Sequence, residues 1–315
     1  MSIKNTLYVI LFIFLSIVVL SAIKNHIGTG TKVYKNEVNI HTLSDAKGLN
    51  PFTVSDATSR NYMLPHLVQS MLSFDYVTMK LVPVLAVSLP EVKNIGDMIE
   101  LTYEIRPEAK WDNGKPVLAS DVIFSYKAIF CPKVNSDNVK PSVDYVKDIR
   151  TYPDNPRKYT VVCSKNIGVL EGTGYEVKVL PEYVYDAKGL LKKYTIPELV
   201  VENPKCSDDA NVKEFSDFFN SQKTMRDPDF VQGSGAYRLI SWETGQRMIL
   251  ERKKNWWGDQ MHELNQFFEA YPKRLVFVTI NSFPTALTAL KNEKIDFIYV
   301  MPVKDYIDLD NSPKF

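Results

Sequence analysis

Residues 101–126, LTYEIRPEAKWDNGKPVLASDVIFSY, carry the pattern that decides the fold. From Leu101 to Ile105, apolar residues alternate with polar ones, as they do on a half-buried strand. Asn113-Gly114 then predicts a type I′ turn, because both central positions of that turn need positive φ. The apolar spacing that follows is typical of a helix with one inner face. This stretch therefore predicts a strand, a tight turn and a helix from about Ser120 to Phe130.

A second stretch, residues 233–258 (GSGAYRLISWETGQRMILERKKNWWG), predicts a glycine turn that leads into a β-hairpin. Its strands should cover residues 237–240 and 247–252, on either side of a turn at Glu243-Thr244-Gly245. The hairpin ends in two tryptophans. Earlier in the chain, apolar residues on one side of Met63–Leu72 predict a helix.

Near residue 275 the pattern changes, because LVFVTI (275–280) and IDFIYV (295–300) are largely apolar on both faces. Between them, Ser282 can cap a helix that tolerates Pro284 in its first turn. Two such strands around a helix predict a βαβ unit, a right-handed crossover and a parallel sheet. Because two parallel strands do not make a domain, we expect this unit to open a second lobe.

Length and composition predict a folded protein of two domains. The 315 residues are 45% hydrophobic and 12% aromatic, which is ample for packed cores. The 38 basic and 37 acidic residues leave a net charge of +1. Nothing in this balance favours nucleic acid or a polyanionic substrate as a partner.

The N-terminus carries an apolar run, Leu7–Ile23, between Lys4 and Lys24. Its 17 residues lie between the length of a signal-peptide core and that of a membrane span. We therefore expect export, with residues 1–24 serving either as a cleaved signal peptide or as a membrane anchor.

Sequence motifs for catalysis are missing. No G-x-S-x-G run occurs, and the lone G-x-G pairs lack the further residues of a phosphate-binding loop. His41, His66 and His262 are scattered without metalloprotease spacing. We therefore predict a protein that is not an enzyme, with no metal and no cofactor.

The cysteines fit no structural zinc site, because Cys131, Cys163 and Cys206 lie far apart in the sequence. Two interpretations stay open at this point. Cys131 and Cys163 could pair in an oxidising compartment and leave Cys206 free, or all three could be buried thiols.

Several ordered motifs resemble those of the family-5 extracellular solute-binding proteins, which deliver peptides, and sometimes nickel, to ABC importers. They are Leu49-Asn50-Pro51, Ile105-Arg106, Lys110–Pro116, Ala119–Ser125, Gly233–Tyr237 and Arg252–Trp257. One departure is Leu118, which stands where the family has a hydroxyl residue to cap the helix. Capping should shift to Ser120, or be lost at a cost of about 1 kcal/mol.

The resemblance implies a mixed α/β fold of the periplasmic-binding-protein type II kind. It would have two lobes joined by a hinge, with the second lobe incomplete. We expect a tether at residues 25–36 and a first lobe at 37–272 that contains an inserted subdomain at about 52–200. Residues 273–315 would then be the start of a truncated second lobe.

The function implied by the resemblance is peptide capture. The protein would be an exported, monomeric component of the periplasm or cell envelope, held to the inner membrane if the N-terminal segment is retained. It would hold an oligopeptide or dipeptide between its lobes and pass it to an ABC permease in the membrane. Two alternatives stay open, a membrane-tethered enzyme with catalytic residues in a missing C-terminal half and a degenerate fragment that binds nothing. With only one wall of the cleft, we expect weak peptide binding or none.

By position, the resemblance also implies ligand-binding residues in two segments. The predicted residues are Ser55, Asp56, Ala57, Thr58 and Arg60 in a cleft-lining loop, and Gly233, Ser234, Gly235 and Tyr237 near the cleft floor. Asp56 would orient a ligand cation and Arg60 a carboxylate. The competing interpretation is that both are ordinary loop charges in solvent.

Overall fold

The computed structural model describes residues 36–165, 168–200 and 204–312. The strands are β1 (Glu37–Thr42), β2 (Leu72–Asp75), β3 (Lys80–Pro83), β4 (Glu91–Ile95), β5 (Met98–Glu104), β6 (Val146–Tyr152), β7 (Asn155–Ser164), β8 (Tyr237–Glu243), β9 (Arg247–Arg252), β10 (Arg274–Thr279) and β11 (Phe297–Ile298). The longer helices are α1 (Ala119–Phe130), α2 (Ala210–Phe219), α3 (Phe283–Lys291) and α4 (Val303–Asp310). Shorter α-helical turns cover Leu64–Leu67, Val169–Glu171, Glu182–Tyr185, Ile196–Val200, Pro204–Ser207 and Gln222–Arg226. The remaining helical turns are π-helical at Thr58–Met63 and Gly172–Glu176, and 3₁₀ at Lys140–Ser142, Trp257–Gln260 and Gln266–Phe268.

The largest sheet has the strand order β11-β1-β10-β9-β8. Strands β11 and β10 both run parallel to β1, and β9 runs antiparallel to β10. The hairpin of β8 and β9 forms where the sequence predicts it, with Gly245 at a φ of 71° in its turn. A positive φ is accessible to glycine without the steric cost that a side chain imposes.

Strands β10 and β11 both belong to the central sheet. They are parallel strands around helix α3, as the pattern indicates, but β1 lies between them and completes their sheet. Leu275, Val276 and Phe277 of β10 are all buried, which explains a strand that is apolar on both faces. Residues Glu37–Phe315 form one compact unit without a break at residue 273.

A second sheet, in the order β4-β5-β7-β6, contains the strand of the opening stretch. Strand β5 covers Met98–Glu104, in agreement with its alternating pattern, and lies between β4 and β7. The type I′ turn is wrong, since Gly114 has a φ of 78° and Asn113 is not among the residues with positive φ. The Asn113 side chain instead accepts a hydrogen bond from the Lys115 N–H at 2.9 Å.

Asp121 fixes helix α1 to its surroundings. Its carboxylate accepts hydrogen bonds from the Trp111 indole N–H at 3.1 Å, the Leu118 N–H at 2.9 Å and the Glu182 N–H at 3.3 Å. Burial raises the pKa of this carboxyl group, while the three hydrogen bonds lower it. The helix begins at Ala119 with Leu118 as its N-cap. Capping therefore does not shift to Ser120, and the Asp121 side chain supplies the reciprocal half of a capping box.

The helix predicted at Met63–Leu72 lies earlier in the chain. A π-helical turn, Thr58–Met63, runs directly into the α-helical turn Leu64–Leu67. We call these ten residues the cover helix. It ends where Val68 adopts extended backbone angles, φ −129° and ψ 141°, ahead of strand β2.

The described cysteines, Cys131, Cys163 and Cys206, are free and buried, which agrees with the interpretation as buried thiols. The predicted signal or anchor at residues 1–24 and the tether at 25–36 lie outside the described residues, apart from Asn36. Within the described ranges, no helix has the length and apolar character needed to cross a membrane.

Candidate functional site at the carboxyl edge of the central sheet

The carboxyl ends of strands β11, β1 and β10 meet at one edge of the central sheet, because these strands are parallel. We call it the carboxyl edge. In open α/β sheets, ligands bind in the crevice outside this edge. Here Thr42, at the end of β1, accepts a hydrogen bond from the Ile280 N–H at 3.0 Å through its carbonyl oxygen. This bond continues the β1–β10 pairing to the end of the two strands.

The cover helix runs from the carboxyl edge to the opposite end of the sheet. At its start, the hydroxyls of Ser44 and Thr58 lie 3.1 Å apart, just beyond β1. At its end, the Leu67 carbonyl accepts a hydrogen bond from the Gly235 N–H at 2.9 Å. In between, the His66 ring packs against the Phe277 ring of β10, with centroids 6.1 Å apart. Burial lowers the pKa of His66 to about 4, so this imidazole is neutral at pH 7.

The first predicted segment, Ser55 to Arg60, therefore lies at the carboxyl edge. Ser55 and Ala57 are exposed there, while Thr58 is buried. Asp56 is held by its own loop, since its carboxylate accepts hydrogen bonds from the Ser59 N–H at 2.9 Å and the Ser59 hydroxyl at 2.7 Å. These bonds give Asp56 a role at the start of the cover helix.

Arg60 is turned towards a neighbouring carboxylate. Its guanidinium lies 3.3 Å from the Glu176 carboxylate, and both side chains are about one-third exposed. This contact joins the cover helix to the π-helical turn Gly172–Glu176. At that degree of exposure, a single ion pair contributes little to stability, so Arg60 remains available to a second anion.

Two tyrosines at the carboxyl edge were not singled out from the sequence. Tyr62 of the cover helix stacks on Tyr299, which directly follows β11, with ring centroids 4.1 Å apart and planes inclined by 9°. Tyr299 is 37% exposed, and burial raises its pKa to about 12. Its hydroxyl is therefore protonated at pH 7 and can donate a hydrogen bond. Tyr299 could have been found from the sequence, because it is an aromatic residue at the end of an apolar strand that was predicted to be parallel.

An open hollow of about 560 Å³ lies beside β11 and next to this tyrosine pair. Its lining includes Leu290, Phe297, Tyr299, Met301, Val303 and Tyr306. A hollow of this size, mostly apolar with a few polar groups, has the character of a small-molecule or peptide site. Together with Ser55, Ala57, Tyr62 and the end of β11, it forms the carboxyl-edge site.

The second predicted segment, Gly233 to Tyr237, lies at the other end of the sheet. Tyr237 pairs with Arg252, and the neighbouring Glu251 pairs with Arg274, the first residue of β10. The amino ends of the parallel strands are at this level. Along a six-residue strand the two ends are about 17 Å apart. The structure therefore does not bring the two predicted segments together.

This second segment is occupied by internal contacts. The Ser234 carbonyl accepts hydrogen bonds from the indole N–H groups of Trp256 and Trp257, each at 2.8 Å. The buried Tyr237 hydroxyl donates to the Pro272 carbonyl at 2.9 Å. These bonds give the segment a structural role between the cover helix and the end of the β8–β9 hairpin.

No grouping of three or more His, Cys, Asp or Glu side chains suited to a metal ion occurs in residues 36–165, 168–200 and 204–312. Neutral His66 is packed between aromatic rings, and the His41 ring nitrogen Nε2 lies 3.0 Å from the Ile280 carbonyl oxygen. The described groups at the carboxyl-edge site are the stacked tyrosines, the apolar lining of the hollow and the carboxylates of Asp296 and Asp310 on that lining.

Comparison with known proteins places this fold among binding proteins. Residues 80–315 match the family described as bacterial extracellular solute-binding proteins, family 5 Middle. The periplasmic oligopeptide-binding protein OppA of Salmonella typhimurium is 24% identical over 206 residues, which are 64% of this chain and 33% of OppA.

Solved structures share the same fold. AppA from Bacillus subtilis, solved with a nonapeptide, is 16% identical with a TM-score of 0.62, over 87% of this chain and 46% of AppA. NikZ from Campylobacter jejuni, solved with Ni(L-His), is 20% identical with a TM-score of 0.63, over 89% of this chain and 46% of NikZ. The chain thus spans about a third of the length of OppA and about half of AppA and NikZ. From the family match over residues 80–315, the chain belongs to the bacterial extracellular solute-binding proteins of family 5.

Proposed function

We propose that this chain supplies one wall of a peptide-binding cleft, and that the wall is the carboxyl-edge site. The main support for this proposal is what surrounds strand β11. This strand lies at the edge of the sheet, beside the stacked Tyr62 and Tyr299 and the hollow of about 560 Å³. An edge strand presents a row of backbone N–H and C=O groups, which an extended peptide can pair with.

Each of these groups would have a different part in binding a peptide. Backbone pairing at β11 would hold peptides without regard to their sequence, and the tyrosine pair would contact the peptide through its exposed ring edges. Ser55 and Ala57 are exposed and have small side chains, which would leave room for a bound chain. The names of OppA and AppA, both described as oligopeptide-binding proteins, support peptide as the solute class.

In the whole protein, a second lobe would close on the bound peptide from the opposite side. The protein would act outside the cytoplasm and pass its peptide to the permease of an ABC importer. We also propose that residues from about 52 to 200 form a subdomain inserted in the first lobe. Strands β4, β5, β6 and β7 lie within this range.

Ligand-observed NMR on the 315-residue chain tests the solute class. Saturation should transfer to di-, tri- and pentapeptides. Peptides of the same length but different sequence should give similar intensities, because backbone pairing does not depend on the side chains. A maltohexaose and a nickel–histidine complex serve as solutes of other classes. If neither short nor long peptides receive saturation while one of these two does, peptide is the wrong class of solute.

A further inference from the structure

A second cavity, of about 280 Å³, lies on another side of the cover helix. It is bounded by the cover helix, the β2–β3 hairpin and the segment that follows Gly174. Its lining includes Arg60, Asn61, Gln69, Tyr76, Tyr175 and Lys178. None of its lining residues belongs to the hollow beside β11, so the two cavities are separate. The volume lies just below the usual range of about 300–1,000 Å³ for ligand sites and suits a small molecule.

Lys178 brings a positive charge into this cavity. Its ammonium group donates to the Ser70 hydroxyl at 2.8 Å and to the Tyr175 carbonyl at 3.2 Å, and it lies 4.8 Å from the centroid of the Tyr175 ring. All of these partners are neutral. A cation removed from water without a directly bonded anion carries a desolvation cost that a bound anion would offset.

The titration of Lys178 agrees with this picture. Burial lowers the pKa of Lys178 to about 8, with the Glu176 carboxylate raising it and the Arg60 guanidinium lowering it. Burial raises the pKa of Tyr175, which also lines the cavity, so this phenol is neutral near pH 7. Lys178 is therefore mainly cationic at pH 7 and becomes neutral as the pH rises through 8.

Arg60 adds a second cation on the same wall. Its contact with the single carboxylate of Glu176, at 3.3 Å, leaves the group of three residues with a net charge of +1. A guanidinium has five N–H donors, and this contact joins it to one carboxylate oxygen. The cavity is therefore positive and lined with donors, the arrangement that proteins use to bind carboxylates.

Gln69 provides an independent indication of a ligand. The residue is only 8% exposed, and its side-chain oxygen Oε1 is shielded from solvent without a hydrogen-bond partner among the described residues. Buried polar atoms almost always have a partner, and an unsatisfied one costs about 1–3 kcal/mol. Because Gln69 lines the cavity, a turn of its side-chain amide would bring this oxygen to a ligand that donates a hydrogen bond.

We propose that this cavity is a second ligand site, which binds a small carboxylate carrying an amino, amide or hydroxyl donor. The carboxylate is held by Lys178 and Arg60, and the donor is received by Gln69. A free α-amino or α-hydroxy acid has this chemistry, and so does the carboxyl end of a short peptide. Its lining shares no residue with the hollow beside β11.

Isothermal titration of the 315-residue chain at pH 7 with L-alanine, L-lactate, triglycine and triglycine amide tests the site. Binding of alanine and lactate identifies free acids as the ligand, whereas binding of triglycine alone identifies a peptide terminus. Triglycine amide lacks the carboxylate, so any heat it gives comes from the carboxyl-edge site and should be the same in the natural chain and in Lys178→Met. Lys178→Met should weaken binding at least about tenfold, the loss expected for one charge-assisted hydrogen bond of about 1.4 kcal/mol.

Lys147→Met is the matched control, because Lys147 is exposed on β6, and it should leave binding unchanged. Lys178→Arg should keep the affinity at pH 7. In the natural chain the affinity should fall as the pH is raised from 7 to 9, and Lys178→Arg should abolish that fall because arginine stays charged. Urea unfolding of each variant verifies that the fold is intact.

The proposal is overturned if none of the three free carboxylates binds, or if Lys178→Met binds them as well as the natural chain does. A peptide with an amidated C-terminus separates this result from the function of the carboxyl edge. Its binding depends on the carboxyl-edge site and should be the same in the natural chain and in Lys178→Met.

Discussion

Replacing Gly235 with alanine should lower the free energy of unfolding by about 3 kcal/mol. A methyl group at this position would lie 2.4 Å from the His66 carbonyl oxygen and 2.7 Å from the Leu67 carbonyl carbon. Both are backbone atoms, which cannot turn away as a side chain can. The cover helix would have to move off the sheet and would lose the 2.9 Å hydrogen bond from the Gly235 N–H to the Leu67 carbonyl.

Urea unfolding followed by tryptophan fluorescence measures this loss. Gly168→Ala is the control, because nothing lies within 4 Å of an added methyl group there and the φ of −131° suits any residue. It should change the free energy of unfolding by no more than about 0.5 kcal/mol. Equal stability of Gly235→Ala and Gly168→Ala would contradict the close packing of this glycine against the cover helix.

Asp121→Ala should lower the free energy of unfolding by about 3–4 kcal/mol. Asp121 is 7% exposed, and its loss leaves three N–H donors without an acceptor, the buried one of Trp111 and the partly buried ones of Leu118 and Glu182. Each unsatisfied buried donor costs about 1–3 kcal/mol, reduced where water can reach it. The start of helix α1 would also lose its reciprocal cap.

Ser120→Ala is the matched control for Asp121→Ala, since Ser120 is the exposed neighbour on the same helix turn. Its effect should stay within about 0.5 kcal/mol. Thermal or urea unfolding of both variants gives the comparison. A loss below about 1 kcal/mol for Asp121→Ala would mean that water replaces the carboxylate, and the role assigned to this residue would be wrong.

Local structure was largely readable from the sequence wherever the residues that interact are close along the chain. Strand β5 and the β8–β9 hairpin form as their patterns indicate. Helix α1 covers Ala119–Phe130, in agreement with the predicted range, but its capping differs from the prediction. The sequence predicts a cap in which the N-cap side chain accepts a hydrogen bond. In the structure the Asp121 carboxylate instead accepts a hydrogen bond from the backbone N–H of the N-cap residue, Leu118.

Long-range pairing was not readable. Strand β1 pairs with β10, which lies more than 200 residues later in the chain. The residue pattern of neither strand indicates which strand it pairs with. For this reason the βαβ unit was recognisable from the sequence, but the position of β1 between its two strands was not. The cover helix was misplaced for a related reason, since its end is fixed by packing against Gly235 and by the extended backbone of Val68.

The two segments predicted to bind ligand lie at different ends of the central sheet. The loop from Ser55 to Arg60 lies at the carboxyl edge, where its position in the chain suggested a cleft. Gly233 to Tyr237 lies at the opposite end, because β8 begins level with the first residue of β10. Tyr62 and Tyr299 could not be paired from sequence, since their stacking depends on β11 lying beside β1.

The affinity of the chain for a pentapeptide, measured by NMR titration in the natural chain and in Tyr62→Ala, tests most directly whether the carboxyl edge is the binding wall. Loss of one aromatic contact of about 1.4 kcal/mol should weaken binding about tenfold. Tyr271→Ala, which removes a tyrosine that is 76% exposed, should leave the affinity unchanged. Equal affinity in the natural chain, Tyr62→Ala and Tyr271→Ala would contradict the assignment of the carboxyl edge as the peptide-binding wall.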